Sequence, residues 1–448
     1  MTDNSTFPFT VTEHVVDAQH IREYPNATRR RDASLKLILK QYTPIDNPSP
    51  QAGDITIIGA HGCGFPKELY EPLWEDLHTR GQVDGYRIRS IWIADVVSLG
   101  ASGIRNEDSL GNDREYSIPQ FPPVAPVADI LESILDGSQP RPPTHDQYLS
   151  RPNATADRGS GTYLLLSMLH PRLFTSLSLI EPVISPDVFT GQGPILGIVS
   201  LKRKDTWTSK SEAIKAARKS YKRWDKRVLD RWIDNGYREL SFSAVPASDN
   251  PQTDRPVKLA SSKYHEVMQY LRPNPLDYKP VGQYEVDDTS PPHHDHLLYP
   301  DIIGPSHATS PFYRYEPIMA WQMLKHIRPA VLYLHGDSSP IASPEVLAKM
   351  LNRTGTGVGG NGGVRESRVQ QRILKGSHQL PLEKVAETAA VVGPWIGQSA
   401  QSWKDDEARL DEGWAQQSMS ERLKAMDNWV PVLQGLHKAD AQKRDSRL

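Results

Sequence analysis

RGSGTYLLLSMLHPRLFTSLSLIEPVI, residues 158–184, is the run whose reading decides the fold. A glycine-bracketed turn at Ser160 leads into an apolar helix through Met168, which the His170-Pro171 pair breaks. A buried strand over 177–180 follows and ends on a carboxylate, Glu181. Upstream, residues 140–157 read PRPPTHDQYLSRPNATAD, with neither the β-branched run of a central strand nor a serine framed as G-x-S-x-G. Proline is poorly tolerated in a central strand. The segment therefore reads as loop: either the strand expected there is irregular, or the stretch has diverged, for example through a mis-joined exon.

Toward the N-terminus, residues 35–42 (LKLILKQY) alternate as an opening strand and 54–60 (DITIIGA) form a short apolar one. The second delivers His61-Gly62-Cys63-Gly64 ahead of a helix over 68–77. Glycines in such a turn free backbone N–H groups to face an oxygen that becomes negative, which makes Cys63 and Gly64 the oxyanion candidates. Residues 87–94 (RIRSIWIA) are the next strand, ending at Asp95, and Val127 to Leu135 keep helical spacing inside a proline-rich segment.

Downstream of Ile184, Ser209 and Glu212 make a capping box. Ile214, Ala217, Tyr221, Trp224, Val228 and Trp232 then mark one face of a single helix that stops at Asn235-Gly236. Its Lys and Arg residues form either a solvated surface or a site for the phosphates of a coenzyme A ester. His293, His294 and His296 lack a partnered cysteine or an i, i+4 pair, so no metal is assigned. Helical spacing returns over 318–327, and 330–334 (AVLYL) is a strand ending in His335-Gly336-Asp337. The glycine-rich run 355–363 lacks a following G-K-[ST] and reads as a flexible connection. Residues 368–374 are the last strand, and just past it stands His378, ahead of an amphipathic helix over 380–392.

Order along the chain now specifies an α/β class, an α/β-hydrolase fold with an inserted, mainly helical cap. Its parts are residues 1–185 as the first portion of the core, with 116–158 divergent, 186–326 as cap, 327–400 as the rest of the core, and 401–448 as a helical tail. The chemistry of such a site needs a nucleophile, a histidine to take its proton, a carboxylate to hold the histidine, and oxyanion donors. His378 takes the second role. Glu181 takes the third, with Asp337 as the competing acid. For the nucleophile, Ser160 sits at a helix start, Asp157 precedes Arg158-Gly159 and would form an ester intermediate in dehalogenase-like or epoxide-hydrolase-like chemistry, and a chain with no nucleophile would be a catalytically silent binding protein. All three stay open.

Composition limits the partners. The 448 residues carry 52 Lys and Arg against 54 Asp and Glu, a net charge of −2, which gives no field for nucleic acid. No apolar run reaches the roughly 20 residues a membrane span needs. The opening MTDNSTFPFTVTEH lacks a signal-peptide pattern, and one cysteine, Cys63, fits a reducing compartment. Ser446-Arg447-Leu448 is a variant of the S-K-L peroxisomal address, so the import receptor for that signal is the expected partner, beside a small-molecule ester or acyl-CoA substrate. No cofactor is expected.

Several long stretches then resemble one family: TEHVVDAQHIREYP, HGCGFPKELYEPLW, IWIADVVSLGASGIRNED, LHPRLFTSLSLIEPVI and the closing SRL. The chain is similar over most of its length to fungal peroxisomal α/β-hydrolases from the gene clusters of host-selective toxins and of mycophenolic acid, the latter an acyl-CoA hydrolase. The resemblance implies ester or thioester hydrolysis in toxin or secondary-metabolite biosynthesis, with Glu181 on the family's triad acid and His378 on its histidine. The family's G-H-S-x-G-G elbow has no counterpart here. Counting back from His170-Pro171 puts Asp157 at the serine's place, whereas Ser160 needs a slip of three residues.

Overall fold

Short runs of β-branched and apolar residues, buried on both sides, can only be the inner strands of a covered parallel sheet. The computed structural model describes residues 7–18, 27–110, 153–156, 160–186, 192–240, 254–273, 312–313, 316–341, 343–424 and 428–445. Its main sheet has eight strands: β1 (Phe9–Asp17), β2 (Lys36–Pro44), β3 (Ile55–Ala60), β4 (Ile88–Ala94), β5 (Asn153–Ala156), β6 (Ser176–Ile180), β12 (Ala330–Gly336) and β13 (Val369–Leu374). They lie in the order β1-β2-β4-β3-β5-β6-β12-β13. The first two pairings, β1 with β2 and β2 with β4, are antiparallel, and the rest are parallel.

Period-two alternation sends β12 to both faces. Ala330, Leu332 and Leu334 join the core under helices Glu71–Asp84 and Val385–Ala415, with Leu73, Trp74, Leu77, Val385 and Val392. Val331 and Tyr333 face the opposite core, with Tyr163, Leu164, Ala320, Leu324 and Met350 from helices Ser160–Leu169, Glu316–Met323 and Pro344–Arg353 and the turn between.

The expectation that residues 140–157 hold no regular strand is corrected by β5. Asn153–Ala156 fills the centre of the sheet, Ile57 to Ala60 pairing on one side and Ser176 to Leu179 on the other. Ladder bonds are made by backbone, and these four residues contain no proline, so Asn-Ala-Thr-Ala pairs although Thr155 is its one β-branched residue and no apolar β-branched run marks it. The helix expected over 318–327 ends as an α-helix at Met323 and closes with a 3-10 turn, Leu324–His326. The predicted helix over 127–135 and the three histidines at 293–296 lie outside the described residues.

Between β6 and β12 lie helices Gln192–Lys202, Lys210–Ser220, Lys226–Asn235 and Lys263–Tyr270, a three-stranded antiparallel sheet of β7 (Thr206–Trp207), β9 (Val257–Leu259) and β8 (Tyr237–Glu239), and a two-residue pair, β10 (Arg272–Pro273) with β11 (Phe312–Tyr313). The single helix expected over 209–235 is two. Ser209 caps the first by accepting from Glu212 N–H at 3.1 Å, and Asp225 starts the second by accepting from Arg227 N–H at 2.8 Å. The apolar spacing runs straight through the break, because Tyr221 and Trp224 stack on each other at 4.0 Å and Trp224 stays buried.

The glycine run at 355–363 is likewise not a slack connection. Gly355, Gly357 and Asn361 donate their N–H groups to the carbonyls of Leu324, Lys325 and Ile327 at 2.7–2.9 Å. Residues 401–448 make a second compact unit, which contains helix Met419–Arg422, started by a capping box of Ser418 and Glu421, and helix Trp429–Asp445.

Behind the residues that follow β3 sits a buried ionic knot. Lys67 has no exposed surface, and its ammonium lies 2.6 Å from the fully buried Asp95 and 3.2 Å from Glu68. Burial pulls the Lys67 pKa down, but the two carboxylates outweigh it and hold it above the ordinary lysine value. Asp95 also accepts the N–H groups of Lys67 at 3.0 Å and Ala101 at 2.9 Å, tying the end of β4 to two further segments. Removing one partner strands a buried charge, so Lys67→Ala should lower the urea-unfolding free energy by about 3–5 kcal/mol. A loss under about 1 kcal/mol would show that the pair carries little of the fold.

Candidate active site

In a parallel sheet the carboxyl ends of the strands share one edge, and loops there collect residues distant in sequence. Ala60 of β3 lies level with Ala156 of β5, Ala156 with Leu179 of β6, Ile180 with Leu334 of β12, and Gly336 with Leu374 of β13. The loops after β3, β6, β12 and β13 therefore open on one rim. They carry His61 to Gly64, Glu181, Asp337 to Ser339, and His378.

Glu181 sits one residue past β6 with φ 52°, a left-handed backbone rare for a residue with a side chain. Such a conformation costs on the order of 1–3 kcal/mol and persists only when its surroundings fix it. Here they do. Its N–H donates to Leu334 O at 2.8 Å. Its fully buried carboxylate accepts from Gly336 N–H, from the Ser339 hydroxyl and from His378 Nδ1, the last at 2.9 Å. Position 336 must be glycine for this to close, since a Cβ there would stand 2.4 Å from Gly376 O and 2.7 Å from Ser377 O in the His378 loop. With Nδ1–H donated to Glu181, the ring's Nε2 is the acceptor, the tautomer a general base requires.

Asp337 does not compete for this role. It is exposed, and its carboxylate accepts Gly376 N–H at 3.1 Å. The sequence pattern alone assigns no role to Gly336, Ser339 or His335, the last of which it places only at the end of a strand. His335 is buried, its ring nearly parallel to that of Tyr333 with centroids 6.3 Å apart, and its Nε2 has no hydrogen-bond partner among the described residues. Burial pushes its pKa below the usual histidine value; Glu181 opposes that shift and His378 adds to it.

At the turn after β3, His61 is buried, its Nδ1 2.9 Å from Gly62 O and its Nε2 accepting Val96 N–H at 3.2 Å. Gly62 N–H donates to the Tyr70 hydroxyl at 2.7 Å, and the oxyanion candidates Cys63 and Gly64 follow it in the turn. Gly64 has φ 80° and packs directly on Glu266, whose carboxyl carbon would be 2.6 Å from a Cβ at that position. Glu266 in turn accepts from Ser200 at 2.7 Å and Tyr270 at 3.1 Å and pairs with Arg203, while its carbonyl accepts from Cys63 Sγ at 3.6 Å.

Of the two nucleophile candidates, Ser160 is the first residue of helix Ser160–Leu169, four positions after β5 ends at Ala156. Asp157 lies outside the described residues, as do Ser446, Arg447 and Leu448. Among the described residues, no group of three or more His, Cys, Asp or Glu is arranged to hold a metal, and no helix is long and apolar enough to cross a membrane.

No family model matches the chain. It is 34% identical over 452 residues to a type I acyl-CoA thioesterase, mpaH, of Penicillium roqueforti, covering 96% of both chains. It is 33% identical over 459 residues to mpaH' of Penicillium brevicompactum, also named a type I acyl-CoA thioesterase, covering 98% of this chain and 99% of that one. An abhydrolase domain-containing protein of Alternaria alternata, ACTT2-2, is 25% identical over 272 residues, 60% of this chain and 92% of its own. Among solved structures, the peroxisomal α/β-hydrolase Lpx1 of Saccharomyces cerevisiae superposes with a TM-score of 0.62 at 15% identity, over 98% of this chain and 99% of that one. The fold is thus an α/β-hydrolase.

The depressed His335 pKa sets a pH dependence of stability. Unfolded, the ring binds protons around its ordinary value of 6.5; folded, it resists them. Stability is therefore full above that value and falls as pH drops below it. The urea midpoint should fall between about pH 7.5 and 5.5, and less steeply in His335→Phe, which keeps an aromatic ring but cannot charge. Equal slopes in both proteins would remove His335 from this account.

Proposed function

We infer the activity from one premise: this chain belongs to the family of the type I acyl-CoA thioesterases, α/β-hydrolases of fungi. It hydrolyses an acyl-CoA thioester in fungal secondary metabolism. The observation that carries this reading is the 2.9 Å hydrogen bond between His378 Nδ1 and the buried Glu181 carboxylate. It holds the imidazole with Nε2 ready to accept a proton and stabilises the imidazolium that results.

With Ser160 as nucleophile, its oxygen adds to the thioester carbonyl as His378 takes the hydroxyl proton. The N–H groups of Cys63 and Gly64 receive the oxyanion. Collapse expels the coenzyme's sulfur, which His378 protonates, and water releases the acid by the same steps in reverse. The end of β5 at Ala156 supports a second reading, in which Asp157, next in the chain, attacks the thioester as a carboxylate, the C–S bond breaks to release the coenzyme as its thiolate, and His378 then activates the water that cleaves the resulting anhydride. Lys215, Arg218 and Lys219, all exposed and spaced i, i+3, i+4 on helix Lys210–Ser220, offer a cationic face for the coenzyme's phosphates. The SRL motif at 446–448 and the likeness to a peroxisomal hydrolase support a peroxisomal site of action, reached through the import receptor.

Turnover of a panel of acyl-CoA esters tests this. His378→Ala should lose about 10²–10⁴ in kcat, and one of Ser160→Ala and Asp157→Asn should lose as much while the other stays near wild type. Lys215→Glu with Lys219→Glu should raise KM for acyl-CoA but not for a p-nitrophenyl ester. Wild-type rates equal to those of His378→Ala would reject the thioesterase reading. A fluorescent fusion ending in SRL should enter peroxisomes and stay cytosolic once the tripeptide is deleted; diffuse signal from both would reject that compartment.

A further inference from the structure

The insertion between β6 and β12 holds the His378 loop on both flanks. Before the histidine, Ser377 N–H donates to Glu383 Oε2 at 3.2 Å, and the same oxygen pairs with Arg223 at 3.1 Å. After it, the Gln379 side-chain carbonyl accepts the indole N–H of Trp224 at 2.8 Å. Asp225 N–H donates to Leu382 O at 2.9 Å. All three anchors are consecutive residues, 223–225, at the break between helices Lys210–Ser220 and Lys226–Asn235. A continuous helix would turn successive side chains about 100° apart and send them in different directions.

Trp224 also reaches the other half of the site. Its ring meets Phe65 edge to face at 5.3 Å, and Phe65 directly follows the turn that ends at Gly64. Tyr221 stacked on one side and Trp232 at 6.0 Å fix the indole in place. One buried side chain therefore contacts the residue after His378 and the residue after the oxyanion turn.

We propose that Trp224 is a positioning residue: it sets the separation of His378 from the Cys63-Gly64 amides, so the inserted segment is part of the catalytic machinery. The proposal rests on the thioesterase reading for its kinetic readout only. The effect belongs in kcat, because a base and an oxyanion site held at the wrong distance lose transition-state contacts while substrate binding elsewhere is unchanged.

Trp224→Phe keeps a ring against Phe65 and Tyr221 but deletes the N–H; Gln379→Met deletes the partner carbonyl and keeps a side chain of similar length. Each should lower acyl-CoA kcat about tenfold or more with KM within twofold, and the double variant should lose no more than the worse single. Hydrogen exchange across 376–380 should quicken in both. Unchanged exchange with kcat within twofold of wild type would overturn the proposal, as would losses that multiply in the double variant. Should wild type turn over no acyl-CoA, the thioesterase reading fails, and exchange at 376–380 still decides whether Trp224 holds the loop.

Discussion

A buried carboxylate bonded to an imidazole is the contact on which the rest of this structure turns. Glu181 has no access to water, so its charge must be met by protein donors, among them Gly336 N–H, the Ser339 hydroxyl and His378 Nδ1. Each comes from a different part of the edge formed by β6, β12 and β13. The left-handed backbone at Glu181 is the cost of aiming the carboxylate across that edge, and the Leu334 carbonyl helps hold it there.

This contact dictates much around it. Gly336 is glycine because the loop after β13 must come within touching distance of β12, which is what carries His378 to Glu181. Elsewhere on the rim, the turn after β3 is followed by the Lys67–Asp95 knot and packs at Gly64 against the Glu266 carboxylate. Both halves of the site are thus fixed by buried charge satisfied within the protein rather than by apolar packing alone. Charges so placed hold a geometry at the expense of stability, a familiar compromise at sites built for chemistry.

Much of this was legible in residues alone, and the reasons are physical. Strands buried on both faces announce themselves by apolar runs, so β3, β4, β6 and β12 were readable within a residue or two, and the partly exposed edge strand β13 (VQQRIL) was readable as well, as the last strand of the order. Glu181 and His378 were readable as strand-end residues in the right order. β5 was not, since Asn153–Ala156 pairs through backbone and carries no side-chain signature. The alternating edge strand Phe9–Asp17 also went unassigned. The break at 221–225 was hidden because stacked aromatics preserve the apolar spacing of one long helix. Ser339, His335 and the Trp224–Gln379 tether depend on which strands and segments are neighbours in space, and no local pattern encodes that.

The account stands most directly on the carboxylate of Glu181. Steady-state hydrolysis of acyl-CoA by Glu181→Gln, which keeps size and most hydrogen bonds but removes the charge and permits the wrong imidazole tautomer, isolates it. The account predicts a kcat lower by about 10²–10⁴ with KM little changed. A variant that turns over at the wild-type rate would contradict it.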